Sequence, residues 1–160
     1  EIQDSRTPSQ GAALVAKAWV DPSFKRHLLE DVNEAAEAAG VIAGDIPIRA
    51  VENTVGLHNV IVCTLCSCYP RQLIGLPPDW YKSRAYRSRM VHEPRAVLAE
   101  FGTQIADDVE VRVHDSTADL RFIVLPMPPD GFGQMDEADL AALVTRDCMI
   151  GVSVPKGTAA

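Results

Sequence analysis

The sequence predicts an α+β domain with a layered arrangement, and three observations support this class. Helical periodicity fills the first 40 residues, β-branched apolar runs follow from residue 59 onward, and prolines and glycines separate the two kinds of segment. A length of 160 residues fits one domain. Within it we expect a helical N-terminal arm over residues 1–40, a functional core over residues 41–153 and a tail over residues 154–160.

Start signals and spacing predict the N-terminal helices. Thr7-Pro8 begins a first helix, and Asp21-Pro22 repeats the same signal for a second helix that Gly40 ends. The apolar positions of both helices recur at helical spacing. In the first helix they are Leu14, Val15, Ala18 and Trp19, and in the second Phe24, Leu28, Val32, Ala35 and Ala39.

Strands and turns dominate the prediction after the arm. The region from Gly44 to Asn53 is rich in turn residues, and "NVIVCTL" then reads as a buried strand. "EPRAVLAEFG" predicts a short helix with Pro94 near its start and Gly102 after its end. The runs "VEVRVHD" and "LRFIVLP", joined by "STAD", predict a hairpin. Finally, "DEADLAALVTRD" predicts a last helix and "CMIGVSV" a last strand.

The charge and hydropathy of the chain exclude several partners. The formal net charge is -7, which argues against nucleic acid although Lys82, Arg84, Arg87 and Arg89 form a basic run. We interpret that run as solvent-exposed or as a contact with an acidic partner subunit. No apolar segment approaches the length of a membrane span, so no membrane partner is expected. Crowded cysteines are unlike a secreted disulfide framework, which favours a cytoplasmic location.

The segment "VCTLCSCYP" carries three thiols, Cys63, Cys66 and Cys68, within six residues. One hypothesis is a redox dithiol at the C-x-x-C spacing, which leaves Cys68 unexplained. A second is a structural zinc site that uses His58 as a fourth ligand, although the chain has no second C-x-x-C. Cys148 is distant and reads as a buried, small apolar residue, and His58 as a packed one.

A third hypothesis adds backbone donors to the thiolates. A metal held between Cys66 and Cys68 would sit over the peptide nitrogens of Ser67 and Cys68, and Cys63 could reach an axial position. Three sulfurs and two nitrogens leave one octahedral position open, as a catalytic metal requires. Soft thiolates with anionic nitrogens favour Co(III) or Fe(III) over zinc, magnesium or calcium. The residues alone leave the three hypotheses open.

The loop "VCTLCSCYP" resembles the metal-binding loop of the nitrile hydratase α subunit and of the related thiocyanate hydrolase γ subunit. The resemblance covers roughly residues 10–153 and includes several further blocks in family order. They are "ENTVGLHNVIVCTLCSC", "GLPPDWYKSRAYRSR", "EPRAVL", "VRVHDSTADLRFIVLP" and "LAALVTRDCMIGV". It implies the fold of that subunit, with residues 41–153 as a catalytic metal-binding core.

The resemblance also implies the chemistry. Cys63, Cys66 and Cys68 would bind the metal through sulfur, and Ser67 and Cys68 through nitrogen. Cys66 and Cys68 would be oxidised to sulfinic and sulfenic acid and act as the catalytic residues. Thr64 is typical of the cobalt-type loop, so Co(III) is expected before Fe(III). A nitrile would be polarised and hydrated to its amide, and the nucleophile is either the Cys68 sulfenate oxygen or a water beside it.

Partners and departures follow from the same resemblance. Family members work with a β subunit, whose arginines hold the oxidised sulfurs, and a metallochaperone or activator is expected. Where the family commonly has Trp-Pro after the loop, this chain has Arg71-Gln72. We interpret these two residues either as an altered subunit contact or as a pocket for a more polar substrate, such as thiocyanate or a nucleoside nitrile. His114 and Asp115 could form a catalytic pair, but a turn-capping aspartate is the simpler expectation.

Overall fold

The computed structural model describes residues 8–158, which form nine α-helices, one 3-10 helix (Phe132–Gln134) and four strands around a single apolar core within that range. The helices are α1 (Ser9–Val20), α2 (Pro22–Glu30), α3 (Val32–Ala38), α4 (Arg71–Ile74), α5 (Asp79–Lys82), α6 (Arg84–His92), α7 (Pro94–Glu100), α8 (Glu137–Ala142) and α9 (Arg146–Ile150). The strands are β1 (Ile48–Glu52), β2 (Leu57–Val62), β3 (Glu110–Asp115) and β4 (Arg121–Leu125). The predicted mixture of helices and strands is confirmed.

The N-terminal helices lie where the sequence predicts them, with one difference. The chain breaks at Asp31, whose side chain accepts the N–H of Glu34 and caps α3, so the predicted second helix is two helices. Apolar residues keep their helical spacing across this break because α2 and α3 pack on each other and on the same strand, β1. Asp21 caps α2 as expected, and Thr7 lies outside the described residues.

The strands form two parallel pairs, and this corrects the predicted hairpin. β1 pairs with β4, and β2 pairs with β3. β3 and β4 therefore have different partners although a tight turn connects them, in which the N–H of Thr117 donates to the Leu120 carbonyl. The continuous apolar run of β4 is typical of a buried parallel strand. β1 lies within the region that was predicted as turns, so that prediction is also wrong.

The predicted last strand, "CMIGVSV", is wrong because its first half is α9. Thr145 caps that helix by accepting the N–H of Cys148, and Gly151 ends it with a φ of 101°. Short buried apolar runs do not distinguish a helix from a strand by their pattern alone. The helix α7 is confirmed, with Gly102 after its end at a φ of 88°.

Five aromatic rings pack together behind the basic run. Trp80 contacts Tyr86 and Phe101 at centroid distances of 4.9 and 4.7 Å, and Tyr81 contacts Tyr69 at 4.9 Å. Tyr81 and Tyr86, which lie beside and within the basic run, are buried, so they cannot offer stacking surfaces to nucleic acid. Between residues 8 and 158 we find no helix with the length and apolar character of a membrane span.

Candidate metal centre

The cysteine loop begins where β2 ends. The register of β2 and β3 sets Val62 opposite Asp115, which are the last residues of the two strands. The N–H of Ser116 also donates to the Val62 carbonyl at 2.7 Å. Cys63 follows directly and is fully buried, whereas Cys66 is exposed. The parallel pairing therefore fixes the first cysteine against the core and lets the next residues reach the surface.

The three cysteine sulfurs of the loop lie close together. The Sγ atoms of Cys63 and Cys66 are 3.5 Å apart, those of Cys66 and Cys68 are 3.1 Å apart, and all three lie within 4.8 Å of one another. The N–H of Cys66 donates to the Cys63 sulfur at 3.2 Å. The three sulfurs predicted to hold a metal therefore converge on one small region.

The environments of the thiols differ. Hydrogen bonds from the Cys68 and Cys63 thiols lower the pKa of Cys66 to about 7. Burial raises the pKa of the half-buried Cys68 to about 12, and its hydrogen bond to Cys66 acts in the same direction. Thiols that share protons in this way can lose them to solvent when a metal ion binds, because thiolates are the ligand form of cysteine. The donor set fits a soft or borderline transition metal rather than magnesium or calcium.

Two side chains hold the first half of the loop at Thr64. The Asp115 carboxylate accepts the Thr64 N–H at 2.8 Å and the Thr64 hydroxyl at 2.6 Å. Arg87, on α6, donates from Nη2 to the Thr64 carbonyl at 3.1 Å and to the Leu65 carbonyl at 3.3 Å. The backbone between the first two cysteines is thereby held by one anion and one cation.

Two further side chains hold the second half of the loop. The hydroxyl of Tyr81 donates to the Cys68 carbonyl at 2.9 Å, and Arg121 donates from Nη1 to the Tyr69 carbonyl at 3.0 Å. Tyr81 is fully buried in the aromatic cluster. With its carbonyls engaged on the protein side, the loop is held in a bent conformation in which its sulfurs face one another.

Sequence reasoning identified the cysteines but not these supporting residues. The sequence predicts that Asp115 caps a local turn. Instead, its carboxylate accepts the backbone N–H of Thr64, which lies 51 residues away in the cysteine loop. Arg87 is identified from the sequence only as part of the basic run. No local pattern marks such residues, because their partners are set by the pairing of strands and the packing of α5 and α6. His114 does not pair with Asp115 but contacts the Asn59 Oδ1 atom at 2.8 Å.

The remaining predicted residues lie outside the cluster. His58 is buried, and its Nε2 lies 2.7 Å from the Gly151 carbonyl, which confirms that it is a packed residue. Cys148 is buried, as predicted. Arg71 and Gln72 are exposed on the first turn of α4, and the Gln72 side chain packs close to Gly44.

Comparisons with known proteins agree with the site. The profile of the family described as nitrile hydratase, alpha chain, matches residues 1–153. The low-molecular weight cobalt-containing nitrile hydratase subunit alpha of Rhodococcus rhodochrous is 54% identical over 150 residues, which cover 92% of this chain and 72% of that protein. The thiocyanate hydrolase subunit gamma of Thiobacillus thioparus is 47% identical over 93% of this chain and 66% of its own length.

Solved structures give the same result. A recombinant thiocyanate hydrolase with partially modified cobalt centres matches with a TM-score of 0.90 and 46% identity, over 95% of this chain and 76% of that one. A double mutant of the Fe-type nitrile hydratase from Comamonas testosteroni Ni1 matches with a TM-score of 0.89 and 45% identity, over 98% of this chain and 78% of that one. Sequence, fold and cysteine cluster agree, and the chain belongs to the nitrile hydratase alpha-chain family.

Proposed function

We propose that this chain is the metal-bearing subunit of a nitrile hydratase, which converts a nitrile to the corresponding amide. The observation that carries the proposal is the convergence of the Cys63, Cys66 and Cys68 sulfurs within 4.8 Å, in a chain that is 54% identical to a cobalt-containing nitrile hydratase subunit. The metal would be held by these sulfurs and by the backbone nitrogens of Ser67 and Cys68.

Co(III) is the proposed ion, with Fe(III) as the alternative. Two features support cobalt: Thr64 stands where cobalt-type loops have threonine, and the curated relatives named above include a cobalt-containing enzyme. An iron-type enzyme is among the similar structures, so the fold accommodates either ion in the family. The hydroxyl of Thr64 is bound to Asp115 at 2.6 Å, which makes the identity of this side chain part of the loop geometry.

The bound ion would supply Lewis acidity toward the nitrile, which activates its carbon toward attack. The residues of this chain shape the site around it. Cys63 lies on the core side, whereas Cys66 is exposed, so the substrate approaches from the side of Cys66. We propose that Cys66 and Cys68 are oxidised to sulfinic and sulfenic acid and are the catalytic residues. The nucleophile is the Cys68 sulfenate oxygen or a water held beside it.

Oxidised sulfurs are anionic and need charge-assisted hydrogen bonds. Arg87 and Tyr81 already donate to carbonyl groups of the loop. We therefore propose that a β-type partner subunit supplies the donors for the sulfur oxygens, and that an activator protein loads the metal. The chain alone would be half of an active site.

Thiocyanate hydrolysis is the second candidate activity, because a thiocyanate hydrolase γ subunit is 47% identical. Arg71, exposed three residues after Cys68, is a positive group that suits an anionic or strongly polar substrate. We propose that Arg71 and Gln72 line the substrate pocket. Carbonyl sulfide formed from thiocyanate would identify the second activity, and amide formed from a nitrile the first. Arg71→Ala should raise KM for thiocyanate more than for a neutral nitrile.

Metal analysis and one substitution test the proposal. The purified complex should contain one cobalt per chain, and mass spectrometry of the loop peptide should show added oxygens on Cys66 and Cys68. Cys68→Ser should abolish both cobalt content and turnover, because it removes one sulfur donor. Cys148→Ser removes a buried thiol outside the cluster and should preserve both. Stoichiometric zinc without cobalt or iron would instead support a structural zinc-binding scaffold subunit.

A further inference from the structure

One face of α6 forms a groove against the cysteine loop. Arg84, Arg87, Ser88 and Val91 follow the i, i+3, i+4, i+7 spacing of one helix face. Together with Thr64 and His92 they line a cavity of about 310 Å³. We call this cavity the α6 groove. None of its lining residues is acidic, although the whole chain carries a net charge of -7. The groove is therefore a basic surface on an acidic protein.

The arginines of α6 differ in whether they form ion pairs with acidic side chains. Arg89, on another face of the helix, donates to Glu93 at 2.5 Å and to Glu100 at 2.9 Å. Within residues 8–158 no ion pair involves Arg84 or Arg87. The Nε atom of Arg87 is shielded from solvent and has no hydrogen-bond partner among the described residues. The charges of Arg84 and Arg87 therefore have no acidic partner among the described residues, and a carboxylate is the group that pairs best with a guanidinium.

Apolar side chains lie beside this positive charge. Leu65, whose carbonyl accepts from Arg87, is 82% exposed, and Val91 on the groove wall is 47% exposed. Exposed apolar groups next to arginines that lack an acidic partner are typical of protein interfaces. Nucleic acid would meet the repulsion of the remaining negative charge and would gain little from the two aliphatic side chains.

We propose that the α6 groove is the docking site of an acidic segment of the partner subunit, with a carboxylate set against Arg84 and Arg87. This inference rests on the proposed function only in requiring a partner subunit. Docking at this groove would also affect the metal loop. Arg87 also holds the carbonyls of Thr64 and Leu65, so a carboxylate that restrains its guanidinium restrains the metal loop at the same time. Partner binding and loop order would then be coupled through one side chain.

The complex can be tested by cross-linking from inside the groove. A benzophenone amino acid is placed at Val91 of the chain, co-expressed with the other subunits of its enzyme, and irradiated. Peptide sequencing by mass spectrometry should locate the cross-link on a partner segment that carries aspartate or glutamate. A cross-link to nucleic acid, to a second copy of this chain, or to a partner segment without a carboxylate would overturn the proposal.

Charge reversal then tests the pairing itself. Arg84→Glu should weaken the subunit complex about 10- to 100-fold, the range for an interfacial charge pair that has become repulsive. Replacing the cross-linked acidic residue by arginine should restore the affinity. Arg49→Glu makes the same charge change at an exposed position of β1 and should leave the affinity unchanged. Equal affinities for Arg84→Glu and the wild type, or no rescue, would contradict the proposal.

The outcomes separate this inference from the proposed function. If the complex contains cobalt and forms amide, but its subunit affinity does not change in Arg84→Glu, the docking site is refuted and the proposed function is supported. If the complex contains zinc and forms no amide, but its subunit affinity depends on the charge at position 84, the proposed function is refuted and the docking site is supported.

Discussion

At the scale of single residues, the site depends on side chains that bind backbone. Asp115 uses one carboxylate to accept both donors of Thr64, and Arg87 donates to the carbonyl of the same residue. All of the polar groups of Thr64 are therefore engaged by groups from β3 and α6. Holding one residue from both sides limits the conformations of the loop before a metal binds, which lowers the entropic cost of binding.

Asp115→Asn should weaken the metal loop. The amide retains one accepting oxygen, but its NH2 group replaces the second acceptor, so one of the two Thr64 donors loses its partner. A hydrogen bond to a charged group contributes roughly 1.5–3 kcal/mol, and exposure places this one toward the lower end. We expect lower cobalt content at limiting cobalt, measured by elemental analysis of the purified complex.

Asp119→Asn is the matched control for this prediction. It makes the same charge change at an exposed position in the same connection between β3 and β4. Its cobalt content should equal that of the wild type. Thr64→Ser keeps the hydroxyl and should bind cobalt better than Thr64→Val, which loses it. Equal cobalt content in the serine and valine variants would show that the hydroxyl bond to Asp115 does not matter.

At the scale of elements, two parallel strand pairs place the loop. β2 and β3 end together, so the residues that follow them meet at one edge. α9 packs against β2 and β4, and its last turn approaches β2 closely at Gly151. The His58 side chain spans the same contact through its hydrogen bond to the Gly151 carbonyl. The close approach of α9 thus supports the strand from which the metal loop emerges.

Gly151→Ala should destabilise the fold strongly. A Cβ there would overlap the Asn59 carbonyl oxygen and lie 2.9 Å from the Val60 Cα, and the φ of 101° strains any L side chain. Backbone strain and overpacking cost roughly 1–3 kcal/mol each, so we expect a loss of about 2–6 kcal/mol in the free energy of unfolding. Urea titration followed by circular dichroism measures it.

Gly133→Ala provides the comparison for that substitution. Nothing lies within 4 Å of a Cβ at this position, and its φ is not in the left-handed region. Its unfolding free energy should differ little from that of the wild type. If the two variants were equally stable, the close contact between α9 and β2 would be absent in solution.

At the scale of the whole molecule, a buried polar network joins the strand pairs. Asn53 accepts the N–H and the side-chain amide of Asn59 at 2.7 and 3.0 Å, and Asn59 in turn contacts His114. The His58 Nδ1 atom lies 3.4 Å from the Asn53 amide. Burial lowers the pKa of His58, although its hydrogen bond to Gly151 opposes the shift. Burial, then the charge of Arg112, lowers the pKa of His114.

The chain should therefore lose stability as the pH falls from 6.5 to 5.5. In this window the unfolded histidines take up protons, whereas folded His58 and His114 take up fewer because their pKa values are lowered, so the unfolded state binds more protons. Each such proton gives a slope of about 1.4 kcal/mol per pH unit. The pKa of about 7 for Cys66 lies above the window. Urea unfolding at several pH values should show a free energy of unfolding that increases with pH.

Two substitutions identify the source of this pH dependence. His114→Gln should reduce the slope, because it removes one group whose pKa is lowered in the folded state. His92→Gln makes the same substitution at an exposed position of α6 and is the matched control. A stability that is constant or higher at pH 5.5 would contradict the lowered pKa values of His58 and His114.

The sequence by itself determined the features whose partners are neighbours along the chain. Cys63, Cys66 and Cys68 bring their sulfurs together within six residues, so the motif alone identifies the cluster and the family. Helix starts at Asp21 and Pro94 are equally local, since a cap bonds only two or three residues ahead. These predictions are confirmed because no distant contact is needed to satisfy them.

Only the tertiary structure decided which strands pair, which side chains hold the loop and where the α6 groove lies. The runs that form β3 and β4 are adjacent in sequence, yet each pairs with a strand from before residue 63. Burial of apolar strand faces and of the aromatic rings selects those pairs from among many that fit the local pattern equally well. Asp115, Tyr81 and Arg87 reach the loop as a result of that packing, because their distances to Thr64 and Cys68 are set by the whole core.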